Sequence, residues 1–199
     1  MWIKICGMTT PEAITAALEA GVEAVGFVFA ESVRQLTPAA AARLAAPARG
    51  KVACVAVTRQ PSQHALDEII ATFRPDVLQT DAADLTRLRV PADLRTLPVL
   101  RGNPGPGPLP VRVLFEGMAS GTGRTCDWEG ARAVARRTEL ILAGGLNAGN
   151  VAAAIAEVRP FGVDVSSGVE SRPGIKDPTE IARFVLAART ARARVQEIP

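Results

Sequence analysis

The stretch Leu142–Asp177, LAGGLNAGNVAAAIAEVRPFGVDVSSGVESRPGIKD, decides the fold. A short apolar strand ends in Gly144-Gly145, and a helix near Ala148–Val158 follows. A second short strand, Gly162–Val165, runs into Ser166-Ser167-Gly168. Two adjacent strand-to-helix turns built of Gly and Ser leave backbone N–H groups available to surround a phosphate. Barrels of the (β/α)8 type often carry a phosphate site in the loops after their seventh and eighth strands. The opening strand of the chain runs into Cys6-Gly7-Met8 and would close such a ring beside the last one. A phosphate cradle and a cysteine then share one mouth.

On either side of this stretch, strands and helices alternate with a unit of about 25 residues. Strands are expected at Trp2–Cys6, Ala24–Phe29, Lys51–Val57, Val77–Thr80, Val111–Glu116, Glu139–Ala143 and Gly162–Val165. Helices are expected at Pro11–Ala20, from about Pro38, at Pro61–Phe73, from about Trp128 and from Pro178. Thr10 is placed to cap the first of these, with Pro11 at its first position. Asp177, with Glu180 three residues on, has the pattern of a capping box. Strict alternation implies a parallel sheet with helices outside, and eight strands favour a closed barrel over an open sheet. The irregular part is Ala82–Pro110. It holds a strand near Leu97–Leu100, but GNPGPGPLP stands where the fifth helix belongs. Prolines lack the N–H and clash inside a helix, so an irregular crossover is expected there. The expected architecture is therefore one (β/α)8 barrel domain over residues 1–199, lacking its fifth helix.

With 199 residues the chain can bury one sizeable core, at the short end for such a barrel. A net charge of +3 favours small anions only mildly and does not argue for nucleic acid. The arginines of Arg183–Arg194 read as a solvated helix face. There is no apolar run long enough to span a membrane, and MWIKICGM reads as a strand and not a secretory signal. The three cysteines, Cys6, Cys54 and Cys126, lack metal-ligand spacing and are odd in number. Reduced thiols and a cytoplasmic location are the expectation.

Alternation in the first strand puts Trp2, Lys4 and Cys6 on one face and Ile3 and Ile5 on the other. Active sites of these barrels sit at the C-terminal ends of strands, so Cys6 is a candidate base or nucleophile; the alternative is a small buried thiol. Lys4, on the same face, could lower the pKa of that thiol or pair with a carboxylate. Asp127 follows SGTGRTC and precedes a helix, which suits either an N-cap or an acid at the mouth. Asp164 lies inside a strand between Val163 and Val165, where a carboxylate needs an ion pair or a polar ligand. Arg34, in ESVRQLTP, is either solvated or a carboxylate binder. His64 is the one histidine, expected on a helix surface, so a His-rich metal site and a Ser-His-Asp triad are both excluded. Cys54 and Cys126 read as packing residues.

Taken together, KICGMT, VGFVF with SVR, SGTGRTCDW, LAGGLNAGNV and FGVDVSSGVESRPGIKD resemble, in order and over nearly the whole chain, the phosphoribosylanthranilate isomerase family of tryptophan biosynthesis. The resemblance implies an Amadori rearrangement of a phosphoribosyl substrate by general acid–base catalysis, with no metal and no redox cofactor. It implies that Cys6 is the base and Asp127 the acid. It assigns Arg34 to the anthranilate carboxylate, Asp164 to the sugar region and Gln79 to the substrate. Gly144, Gly145, Ser166, Ser167 and Gly168 go to the phosphate. The expected partner is the small-molecule substrate, not nucleic acid or membrane, with the protein a monomer or homodimer.

Three departures from the family pattern stand out. Gln79-Thr80-Asp81-Ala82-Ala83-Asp84 replaces QLHGDE, which puts an acid where a histidine is usual. Asp84–Pro110 is shortened and proline-rich, and Phe115-Glu116-Gly117 replaces an Asp-Ala ending. None touches Cys6, Asp127 or the phosphate turns, so activity is expected. Two other functions fit parts of the pattern. A histidine-biosynthesis sugar-phosphate isomerase would carry an aspartate in place of Cys6. A non-catalytic phosphoribosyl binder would tolerate the loss of QLHGDE.

Overall fold

The computed structural model describes residues 1–102, 104–117 and 127–197, with side chains to residue 195 in the last helix. Eight parallel strands close into a barrel in chain order: β1 (Trp2–Cys6), β2 (Ala24–Val28), β3 (Ala53–Val57), β4 (Val77–Asp81), β5 (Arg95–Arg101), β6 (Arg112–Glu116), β7 (Glu139–Leu142) and β8 (Gly162–Val165). Closure is made by β1 on β8, with Lys4 opposite Asp164. The α-helices are α1 (Pro11–Glu19), α2 (Pro38–Ala45), α3 (Gln63–Phe73), α4 (Trp128–Ala135), α5 (Val151–Val158) and α6 (Pro178–Glu197).

Alternation along the strands makes two cores. Ile3, Ile5, Phe27, Leu78, Phe115 and Val163 face outward and pack with Ile14, Leu66, Phe73, Ile155 and Phe184 of the helices. Leu97, Val99, Leu114, Ile141 and Ala143 fill the lower barrel interior together with Trp2 and Val77. The arginine-rich α6 follows the same rule. Ile181, Phe184, Val185 and Ala188 are buried, and Arg183 and Arg189 are exposed.

Two connections lack an α-helix among the described residues. Between β5 and β6, as the prolines require, the chain crosses irregularly with Gly102 and Gly105 at positive φ. Arg137, just past α4, pins this crossover by donating to the carbonyls of Gly105 and Gly107, at 2.7 and 2.5 Å. Between β4 and β5 a 3-10 turn, Asp84–Thr86, takes the place of a helix. The sequence pattern identified Ala82–Pro110 as irregular without separating these two losses.

Capping follows the sequence with one correction. Thr10 caps α1 and Asp177 accepts from the N–H of Thr179 at 2.8 Å. Glu180 does not complete the box. It accepts from Arg183 at 2.8 Å, and the N–H of Asp177 donates instead to the Val169 carbonyl at 2.9 Å. The reason is a two-stranded hairpin that the sequence reading missed, β9 (Glu170–Arg172) with β10 (Ile175–Lys176), which brings that carbonyl close.

Candidate active site

Above the apolar layer the barrel interior turns polar. Alternation places Lys4 and Cys6 of β1, Gln79 and Asp81 of β4, Arg101 of β5, Glu116 of β6 and Asp164 of β8 on the inner face. Cys6 ends β1 opposite Gly26 of β2. A Cβ on Gly26 would lie 3.0 Å from the Cys6 sulfur and 3.1 Å from Lys4 Cε, so that glycine leaves the space in which thiol and ammonium chain meet. Gly7 follows with φ of 78°, and its N–H and that of Met8 both donate to the Gly26 carbonyl at 2.9 Å. The chain thus turns out of the barrel directly after the sulfur.

The thiol is enclosed, at 7 % exposure. Burial pushes its pKa up, and the positive charges of Lys4 and Lys176 work against that push. Lys4 donates to Asp164 at 2.7 Å, which answers the question both residues raised in the sequence: each is the other's partner inside the barrel. The pKa of Lys4 is raised; burial opposes its charge, and Asp164 and Cys6 outweigh burial. Asp164 is thereby a neighbour of the thiol.

The two glycine/serine turns abut. Gly144 and Gly145 have φ of 92° and 66°, which strains any residue bearing a Cβ. A Cβ on Gly168 would collide with the Leu146 carbonyl oxygen. Asn150 holds the first turn by donating from Nδ2 to the Gly145 carbonyl at 2.9 Å and accepting from the Asn147 N–H at 2.8 Å. Gly145, Leu146, Asn147, Ser167 and Gly168 line one wall of a cavity of about 520 Å³, and Arg34 and Glu170 line the other. Of the expected phosphate residues, Gly145, Ser167 and Gly168 line this cavity, and Gly144 and Ser166 do not. Ser166 donates from Oγ to the Cys6 carbonyl at 3.1 Å, which ties the second turn to the cysteine.

Arg34 is not solvated. Its Nε and Nη2 both donate to Glu170, each at 2.7 Å. The same carboxylate accepts from Lys176 at 2.7 Å, and Lys176 also donates to the Ser166 carbonyl at 3.0 Å. Burial works to raise the Glu170 pKa, and hydrogen bonds from Arg34 and Lys176 overcome it, leaving it below the ordinary carboxylate range. Glu170 and Lys176 went unremarked in the sequence. The signal was two charged residues flanking a Pro-Gly turn inside the motif itself.

Asp127 caps α4, accepting from the Gly130 N–H at 3.1 Å, and is exposed. Following β6, it lies among the strand-to-helix connections at the same end of the barrel as Cys6. The glycine-rich run before it, Arg124 and Cys126 lie outside the described residues. Gln79 is 5 % exposed, and its Oε1 is buried without a hydrogen-bond partner among the described residues. The acid at Asp81 does not present bare negative charge to an anionic ligand. Arg101 Nε donates to it at 3.0 Å, Arg59 stands 3.8 Å away, and Arg101 also reaches Glu116 at 3.1 Å. Two of the departures from the family pattern are thus bridged by one arginine. Cys54 is fully buried as a packing thiol and His64 is exposed. Among the described residues no group of three or more His, Cys, Asp or Glu side chains could hold a metal ion. No helix among them is long and apolar enough to cross a membrane.

Comparison with known proteins places this geometry. The family model for N-(5'-phosphoribosyl)anthranilate (PRA) isomerase matches residues 3–101 and 107–187. The N-(5'-phosphoribosyl)anthranilate isomerase of Brucella canis is 39 % identical over 212 aligned positions, covering 96 % of each chain. The chain belongs to the N-(5'-phosphoribosyl)anthranilate isomerase family. Its fold matches the crystal structure of TrpF from Jonesia denitrificans with a TM-score of 0.78 and 36 % identity, over 96 % of this chain and 98 % of that one. It also matches a phosphoribosyl anthranilate isomerase in complex with reduced 1-(o-carboxyphenylamino)-1-deoxyribulose 5-phosphate. That match has a TM-score of 0.78 and 28 % identity, over 96 % and 99 % of the two chains.

Proposed function

We propose that this protein, as one catalytic unit over residues 1–199, converts N-(5'-phosphoribosyl)anthranilate to 1-(2-carboxyphenylamino)-1-deoxyribulose 5-phosphate in tryptophan biosynthesis, with Cys6 as base and Asp127 as acid. The observation that carries these roles is the Cys6 thiol at the mouth, tied through Ser166 to the paired glycine turns. Those turns take the phosphate by backbone N–H groups, as strand-to-helix turns do. The sugar then extends towards Cys6. Asp127 protonates the furanose ring oxygen, which opens the ring to a protonated Schiff base. The Cys6 thiolate takes the C2' proton to give an enolamine, which tautomerises to the ketone. Arg34, oriented beforehand by Glu170, faces the anthranilate carboxylate. Gln79 offers its unpartnered oxygen to a substrate hydroxyl. Asp164 acts on the sugar region alongside Lys4. The free thiols of Cys6 and Cys54 suit a cytoplasmic enzyme.

Complementation of a tryptophan auxotroph lacking this isomerase tests the reading, with Cys6→Ala as control. Growth with the wild type and none with Cys6→Ala is the expected outcome. Growth with both removes Cys6 from the mechanism; growth with neither removes the activity.

A further inference from the structure

The cluster around Cys6 includes a buried cation, Lys176, to which the isomerisation just described gives no role. Among the described residues, the charged groups that act electrostatically on the sulfur can be named by element. β1 contributes Lys4, β8 Asp164, β10 Lys176 and the loop after β2 Arg34, while β2 itself presents Gly26. Glu170 bridges Arg34 and Lys176. All five charged side chains are enclosed, none above 12 % exposure. The set holds three cations and two carboxylates. Each carboxylate is already taken: Asp164 by Lys4, and Glu170 by Arg34 and Lys176 at once. One positive charge is left over among these enclosed side chains, where an unbalanced charge is costly.

We propose that Lys176 is a positioning residue for Cys6: with Lys4 it stabilises the thiolate, and that thiolate is the third anion of the cluster. The inference rests on the assignment of Cys6 as base. Lys176 acts along a defined path. It donates to both the carbonyl and the Oγ of Ser166, at 3.0 and 3.3 Å, and Ser166 Oγ donates to the Cys6 carbonyl. The ammonium is thereby fixed relative to the strand end that carries the sulfur. Lys4 enters from below, meeting the thiol across the gap that Gly26 leaves open. Burial holds back the charged forms of both Cys6 and Lys176. Pairing them in one enclosure offsets that shared penalty, because each charge is the other's counter-ion. The same logic explains why Glu170 is shared between two cations. A carboxylate reserved for Lys176 alone would cancel the charge available to the thiolate.

The test is peptide-resolved alkylation of Cys6 by iodoacetamide across pH in the intact protein, which reads the thiol without turnover. Lys176→Met leaves Arg34 with Glu170 and Lys4 with Asp164, and removes the surplus cation. The alkylation midpoint should rise by about one pH unit. Glu170→Gln keeps the shape and adds to the surplus, so the midpoint should fall. Opposite shifts in the two variants are what the proposal requires. Unchanged midpoints in both, or shifts of the same sign, overturn it. Should Lys176→Met fail to fold, the downward shift in Glu170→Gln decides alone. Opposite shifts in a protein whose Cys6→Ala variant still turns over would sink the base assignment while leaving this account of the thiol standing. Loss of turnover in Cys6→Ala with immobile midpoints would do the reverse.

Discussion

Beside β7, β8 and β1 the mouth of the barrel is shaped by backbone. Gly144 and Gly145 take positive φ, Gly168 has no room for a Cβ, and Asn150 holds the turn from behind. Across the mouth, at the ends of β4, β5 and β6, the shape comes from side chains. Asp81, Arg101 and Glu116 form an ion-paired chain, and the helices that usually follow β4 and β5 are a 3-10 turn and an irregular crossover. The first side follows its family's motifs and the second departs from them. A backbone cradle depends on positions that accept few residues, so change there is penalised at once. An ion-paired rim can exchange members so long as charge stays matched, and here Arg101 matches the acid at Asp81. Changes on the backbone side should therefore cost function, and changes on the side-chain side should cost mainly stability.

The largest expected effect is at Cys6. Cys6→Ser should lower turnover by about 10³-fold, within the range for loss of a general base, while affinity for a phosphate-bearing product analogue stays close to wild type. Steady-state kinetics with a binding titration checks this. Near-normal turnover would remove the cysteine side of the comparison altogether. Next comes Asp127, with about 10²-fold expected for Asp127→Asn. A thiolate base and a protonated acid need opposite ionisation states, so the wild-type rate should fall at both ends of the pH range. In Asp127→Asn the alkaline fall should disappear, and a pH–rate profile that keeps it points to another acid.

Gly145→Val comes third. The branched side chain is strained at a φ of 66° and would occupy the space proposed for the phosphate. The Michaelis constant should rise about tenfold with turnover at saturation less affected, because the change touches binding that is equal in ground and transition states. A drop confined to turnover would show that phosphate is held elsewhere.

Most of the fold could be read from the chain because its signals are local. Strand alternation, Thr10 before Pro11, and the prolines of GNPGPGPLP each constrain their own segment. Cys6, Asp127 and the glycine turns were legible as motifs. What the sequence withheld were partners distant along the chain. Lys4 finds Asp164 across 160 residues and Arg34 finds Glu170 across 136. No spacing rule encodes such pairs, so Arg34 could be read only as solvated or ligand-binding, and Glu170 and Lys176 passed unnoticed. Arg101 escaped for the same reason: its two partners sit on different neighbouring strands. Asp81 then read only as a departure from the family pattern when it is half of a pair.

The smallest effect on catalysis, and the clearest on stability, is expected at Asp84, on the side-chain side of the mouth. Its carboxylate is buried and accepts from Thr80 Oγ1 at 2.6 Å, from the Gln60 N–H at 2.8 Å and from Arg87 at 2.7 Å. It fastens the 3-10 turn after β4 to the loop after β3, where Gln60 sits at a φ of 48°. Burial acts to raise the Asp84 pKa, and the hydrogen bonds from Thr80, Arg87 and Gln60 overcome it, so the folded-state value is depressed. A depressed carboxyl contributes stability above its unfolded pKa of roughly 4 and loses it as pH falls through the folded value. Asp84→Asn keeps the shape but gives up the charge, at a cost of about 2 kcal/mol at neutral pH by the usual worth of a charge-assisted hydrogen bond. Urea unfolding of wild type and variant should show that gap at pH 7 and a narrowing gap on acidification, with turnover at pH 7 nearly unchanged. A gap that stays constant with pH would mean that Asp84 acts by shape and not by charge. A large loss of turnover in a stable variant would mean that this side of the mouth is not the tolerant one.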